Sequence, residues 1–137
     1  MIGRQLLLFL VAGGVAAVAN FGSRILLSQL LAYVPAIVLA YGIGITTAFL
    51  LNRAFVFTGA ANPVAQQAWR FALVNFAAVL QTLVISLLLA RWLLPRLGIT
   101  THAETIAHAF GVVVPVFTSY FGHKHYSFVA RAGSPPR

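Results

Sequence analysis

The chain has 137 residues, of which 61% are hydrophobic and 7% charged, and its mean hydropathy is +0.94. Soluble domains carry about 25% charged residues, so too few polar side chains are present to cover a water-facing surface, and lipid is expected to solvate most of the exterior. The net charge of +8 comes from bases spaced singly at the edges of apolar runs, unlike the clustered footprint of a nucleic-acid binder, and the absence of cysteine excludes disulfides, thiolate metal sites and thiol nucleophiles.

A membrane-spanning helix needs about 20 mostly apolar residues, and four segments qualify. In chain order they run from about Leu6 to Val34, Pro35 to Phe57, Trp69 to Leu94 and Thr105 to Phe128. The expected fold class is therefore all-α integral membrane, a single four-helix domain over residues 1–131. A tight turn is expected near Pro35, with loops at Gly59–Pro63 and Pro95–Thr101. The tail 132–137 has no apolar pattern and is expected to be disordered. Arg4, the apolar stretch after it and Ala17-Val18-Ala19 resemble a signal peptide. Apolar sequence resumes at once through Ile25 to Val34, so an uncleaved first helix is expected.

Lys and Arg favour the cytoplasmic side of a membrane. Placing the N-terminus inside puts Arg4, Arg53, Arg70, Lys124, Arg131 and Arg137 on that side, with Arg91 and Arg96 outside. Both chain ends are then cytoplasmic. Phe55, Phe57, Trp69, Tyr126 and Phe128 are expected to form an interfacial aromatic belt.

The chain repeats itself. Phe49-Leu50-Leu51-Asn52-Arg53-Ala54-Phe55-Val56-Phe57 aligns with Tyr120-Phe121-Gly122-His123-Lys124-His125-Tyr126-Ser127-Phe128. The same register matches Ala36, Ala40, Gly44 and Ala48 with Ala107, Gly111, Pro115 and Ser119. Such small-residue ridges let helices approach closely in lipid. Phe9 and Phe71 relate the first and third helices more loosely. Two parallel-repeated helical hairpins, about residues 5–57 and 67–128, are expected to pack about an axis along the membrane normal.

No catalytic set is visible. Glu104 is the one carboxylate, which rules out paired-acid chemistry within a chain. It can pair with His108 on one helix face. Neither a metal nor a cofactor is expected. The candidate site residues are Asn52 and Arg53 at the end of the second helix, with His123 and Lys124 at the end of the fourth. With no acid nearby, these cations suit a phosphate; they also suit simple snorkelling at helix ends. Arg24 lies about 30 Å along a helix from Arg4, inside continuing apolar sequence, where ionisable groups default to functional candidates. Asn20, Ser23 and Gln81 add polar groups on the first and third helices.

Phe9-Leu10-Val11-Ala12-Gly13-Gly14, Asn52-Arg53-Ala54-Phe55-Val56-Phe57 and Arg70-Phe71 together resemble the GtrA-like family of small four-helix membrane proteins. The second-half segment departs from the family pattern, with His123-Lys124-His125 in place of a simpler aromatic-basic run. The resemblance implies no enzymatic activity. It implies translocation of polyprenyl-phosphate-linked sugars across the cytoplasmic membrane for cell-surface polysaccharide synthesis. It also implies a membrane glycosyltransferase as partner, and membrane lipid as surroundings. A homodimer is expected, since one chain offers a thin lining. The alternative role is an anchor for the glycosyltransferase that moves no lipid. A proton-coupled drug exporter would need a membrane-embedded carboxylate, and Glu104 lies at the end of its helix.

Overall fold

The computed structural model describes residues 2–131 of the chain, so the tail 132–137 and Arg137 lie outside the described residues. The described residues are helical almost throughout. The long helices are α1 (Ile2–Leu27), α2 (Tyr33–Leu51), α3 (Val64–Leu88) and α5 (Ala103–Gly122), with a short α4 (Leu94–Arg96) after α3. Five-residue π-helical turns prolong three of them: π1 (Asn52–Val56) after α2, π2 (Leu89–Leu93) between α3 and α4, and π3 (His123–Ser127) after α5. An isolated antiparallel bridge joins Ala60 to Ala130. Four helical stretches, Gly3–Leu27, Tyr33–Val56, Val64–Arg96 and Ala103–Ser127, are long and apolar enough to cross a membrane. The protein is a multi-pass, all-α membrane protein.

The third helix begins at Val64 and not near Trp69, and two other expected boundaries shift for a reason involving proline. The first helix ends at Leu27, not near Val34, and the chain turns through Ser28–Ala32. Pro35 therefore falls in the first turn of α2, where its missing N–H forfeits no helical hydrogen bond. The third helix continues past Pro95 to Arg96. Inside a helix Pro95 would clash with the carbonyl of Arg91; the widened turn π2 carries that carbonyl, and the Leu94 N–H bonds to Leu89 O instead. The helix then stops at Gly98, whose φ of +78° is easy only for glycine. Its N–H reaches Pro95 O at 3.1 Å and that of Ile99 reaches Leu94 O at 2.9 Å, the two bonds of a Schellman cap.

The described residues form two compact units. The first holds the chain up to Pro63 together with Phe128–Arg131. Here α1 packs on α2, and the ridge expected on α2 is the contact face: Ala36, Ala40 and Gly44 are buried. A Cβ added to Gly44 would lie 2.7 Å from Asn20 Cβ and 3.4 Å from Ala16 O. Phe128 stacks on Phe57 at 5.1 Å and on Phe49 at 5.7 Å. Phe57 and Phe128 are thus buried and leave the interfacial belt, whereas Phe55, Trp69 and Tyr126 are exposed as a belt requires.

The second unit is Val64–Ser127, in which α3 packs on α5. Its ridge is again the buried one: Ala107, Gly111 and Pro115. A Cβ on Gly111 would run into Ser86 Oγ and Thr82 O, and one on Gly122 into Val74. Thr118 Oγ1 donates to Gln81 Oε1 at 2.6 Å, a hydrogen bond between the two helices.

Close approach makes these glycines costly to replace, and one substitution pair tests it. Gly44→Ala forces Asn20 and α1 outward and is expected to cost about 1–3 kcal/mol, the usual penalty of overpacking. Gly14→Ala, with nothing within 4 Å of its added Cβ, is expected to be neutral or slightly stabilising through helix propensity. Unfolding of the purified variants in mixed micelles measures both.

Candidate functional site

Each unit has an end where a π-turn brings a cation beside a buried polar residue. In the first unit this is π1. A π-turn shifts the hydrogen-bond ladder by one residue and leaves carbonyls to be satisfied from elsewhere. Phe57 N–H donates to Asn52 O at 2.7 Å, closing the turn, while Gln5 Nε2 from α1 donates to Val56 O at 3.0 Å. Asn52 opens the turn and is only 2% exposed. Its Nδ2 donates to Ala48 O at 2.7 Å, and its buried Oδ1 has no hydrogen-bond partner among the described residues. The next residue, Arg53, points outward and is exposed. A buried amide with acceptor capacity to spare and an exposed guanidinium thus sit side by side.

The second unit builds the same end from different side chains. His123 opens π3 as Asn52 opens π1, and is likewise 2% exposed. Its ring stacks on Phe71 at 4.2 Å, and its Nδ1 hydrogen-bonds Ser127 Oγ at 3.0 Å across the turn. Arg70 of α3 donates to Tyr126 O at 3.0 Å and lies over the Tyr126 ring at 4.7 Å. Lys124 is half-buried, with Nζ 5.8 Å from the Tyr120 ring centroid. Arg70 is thus committed to shaping the turn, and Lys124 is the cation beside the buried His123.

The remaining candidates are not gathered at these ends. Arg24 lies in the last turn of α1, at the far end of the first unit from Arg53, between Phe21 at 5.3 Å and Tyr33 at 6.0 Å. The helix does not break at Gly22-Ser23. Asn20 packs over Gly44, and Gln81 is engaged by Thr118. Both are half-buried and serve helix contacts within their units. Glu104 stands in the first turn of α5, about 30 Å from Lys124 along that helix. No group of three or more His, Asp or Glu close enough to hold a metal occurs among the described residues.

Sequence reasoning passed over Gln5, Gln67 and Ser127. Gln67 and Ser127 are buried polar residues, and Gln5 caps π1. A signal was present: Gln5 precedes Phe9 by the spacing at which Gln67 precedes Phe71, so the match between first and third helices extends one helical turn further than the aromatics suggest.

A family model described as GtrA/DPMS, transmembrane domain, matches residues 8–128. No curated protein and no solved structure matches the chain.

The Asn52 carboxamide is buried with its oxygen unbonded, and stability measurements separate its polar role from its packing. Asn52→Leu removes a buried oxygen that lacks a donor and substitutes a side chain of similar volume. Such exchanges are near neutral or stabilising. The variant is expected to melt within about 1 kcal/mol of the parent in detergent while losing any activity that depends on the amide. Asn52→Asp, which places a carboxylate in a buried site, is expected to destabilise by several kcal/mol.

Proposed function

The chain belongs to the GtrA/DPMS transmembrane-domain family, and we propose that it moves a polyprenyl-phosphate-linked sugar from the cytoplasmic to the outer leaflet of the cytoplasmic membrane. The family points to lipid-linked sugar handling by a non-catalytic membrane protein. The single observation that supports transport is the pairing, at the two π-turns that end α2 and α5, of a cation with a buried polar side chain: Arg53 with Asn52, and Lys124 with His123. The chain has one acid against nine Lys or Arg, and that acid stands at the opposite end of α5 from Lys124. A negatively charged ligand is therefore the natural counter-charge at these ends.

The chemistry follows from the residue types. Arg53 offers a planar fork of donors that suits two phosphate oxygens, and Lys124 a compact point charge. A polyprenyl tail is soluble in the hydrocarbon surroundings, so the phosphate and sugar carry the barrier to crossing. Receiving the phosphate on a cation at the membrane boundary offsets part of that barrier. In this reading both chain ends face the cytoplasm, the Arg24 end of the first unit serves the departing head group, and a second copy of the chain completes the path. A membrane glycosyltransferase supplies the substrate.

Proteoliposomes loaded with a fluorescent or isotopically labelled glycolipid test transport through leaflet accessibility. Arg53→Ala is expected to slow translocation by at least about tenfold, the loss of one charge-assisted hydrogen bond, and Arg53→Lys by less. Unchanged rates in Arg53→Ala and Lys124→Ala would sink the site assignment. No translocation by the purified parent chain, together with its co-purification with a glycosyltransferase, would favour the anchoring role. Because the chain has no cysteine, orientation is directly readable. A single cysteine at Gly59 is expected to react with an impermeant maleimide from the cytoplasmic side alone, and one at Thr101 from the opposite side alone.

A further inference from the structure

The second unit has a recess at the end away from Lys124. It lies where α3 and α4 give way to α5, has a volume of about 440 Å³, and is bounded by Ala90 and Pro95 on one side and by Thr100, His102, Glu104 and Thr105 on the other. That volume falls within the range of small-molecule sites, about 300–1,000 Å³. The four polar residues present two hydroxyls, an imidazole and a carboxylate, all on exposed side chains.

We infer that this recess receives the hexopyranose head of the lipid-linked substrate at the end of the second unit opposite to Lys124, an inference that rests on the transport reading above. A pyranose presents several adjacent hydroxyls and no charge. Glu104 can accept hydrogens from two of them, and threonine hydroxyls and an imidazole can donate or accept as needed. The one carboxylate in a chain of net charge +8 also repels phosphate, so the sugar enters the recess while the phosphate bonded to it stays at the rim. A phosphate partner stands next door: Arg96 follows the lining residue Pro95, and its guanidinium is set over the Trp92 ring at 4.4 Å. A cation adjoining a hydroxyl-binding recess is the pattern a sugar attached to a phosphate requires, and a free sugar would have no use for it.

His102 bears this out in its backbone. It sits at φ 56° and ψ 24°, in the left-handed region that a residue with a Cβ adopts at a cost, and its side chain makes no capping bond to α5. Glycine would relieve the strain. An imidazole kept there is held at the expense of stability, as groups that contact ligands often are. Glu104 in the first turn of α5 also favours the helix dipole, and that ordinary role predicts a stability effect without a binding effect.

Equilibrium binding to the full chain in nanodiscs separates these. The probes are a labelled short-chain polyprenyl phosphate and its glucosyl, galactosyl and mannosyl forms. The parent chain is expected to bind at least one glycosylated form about tenfold more tightly than the bare phosphate. Glu104→Gln is expected to erase that preference without weakening bare-phosphate binding; Arg96→Ala should weaken both forms alike. His102→Gly is expected to raise the melting temperature and reduce the preference. Glu104→Gln that lowers the melting temperature with the preference intact overturns the inference, as does a parent chain that binds all four probes equally. Displacement of the glycolipid by an equal concentration of methyl glycoside would overturn the lipid-borne source. Failure of the parent chain to bind any of the four overturns the transport reading itself.

Discussion

In a bilayer, two apolar helices gain nothing by hiding from lipid, so they associate only where their surfaces fit closely enough for dispersion and interhelical hydrogen bonds to favour contact. Both units meet that constraint in the same way. Ala36, Ala40 and Gly44 present α2 to α1, and Ala107, Gly111 and Pro115 present α5 to α3. The approach is close enough that a methyl group on Gly44 or Gly111 would collide with the neighbouring helix. Everything at the helix ends is positioned by this contact, because it sets the depth at which Gln5 meets Val56 and Arg70 meets Tyr126.

The π-turns are the second consequence of the medium. Backbone groups inside hydrocarbon need partners within the protein, and a turn that widens must recruit them. Gln5 and Arg70 supply donors from the helices packed alongside. The widened turns place Asn52 and His123 inward while the cations that follow them in sequence, Arg53 and Lys124, lie nearer the surface. A single local device thus yields a buried polar group and an accessible charge in adjacent residues. Its recurrence in both units, built on Asn52 in one and on a His123–Ser127 pair in the other, shows that the geometry is repeated although the side chains differ.

Charge is distributed along each unit rather than across it. The first unit carries Arg53 at one end and Arg24 at the other; the second carries Arg70 and Lys124 at one end and Arg91, Arg96 and Glu104 at the other. Helices of this length match the roughly 30 Å of a hydrocarbon core, and the stretch Val64–Arg96, at 33 residues, exceeds it. The charged residues then fall near the boundaries, where their hydration cost is lowest. That arrangement explains why so basic a chain needs no acidic side chains between those boundaries.

The number of spanning helices, their approximate limits, the buried ridge on each of α2 and α5 and the identity of Asn52, Arg53, His123 and Lys124 as unusual residues were all legible in the sequence. Apolar runs of spanning length and small residues at helical spacing are local properties, and the medium leaves a helix little choice. Other features depended on contacts between residues distant in the chain. Phe57 and Phe128 look interfacial by sequence position but are buried against each other, because the segment after π3 returns to the loop after π1. Arg24 sits in continuing apolar sequence, yet the turn at Ser28–Ala32 makes it a helix-end residue. Gln81 resembles a polar group awaiting a ligand and is taken by Thr118. Composition and periodicity determine which residues enter the membrane as helices; only tertiary packing decides which polar groups satisfy one another and which are left for something else, since that depends on which side chains the close contact of small residues brings together.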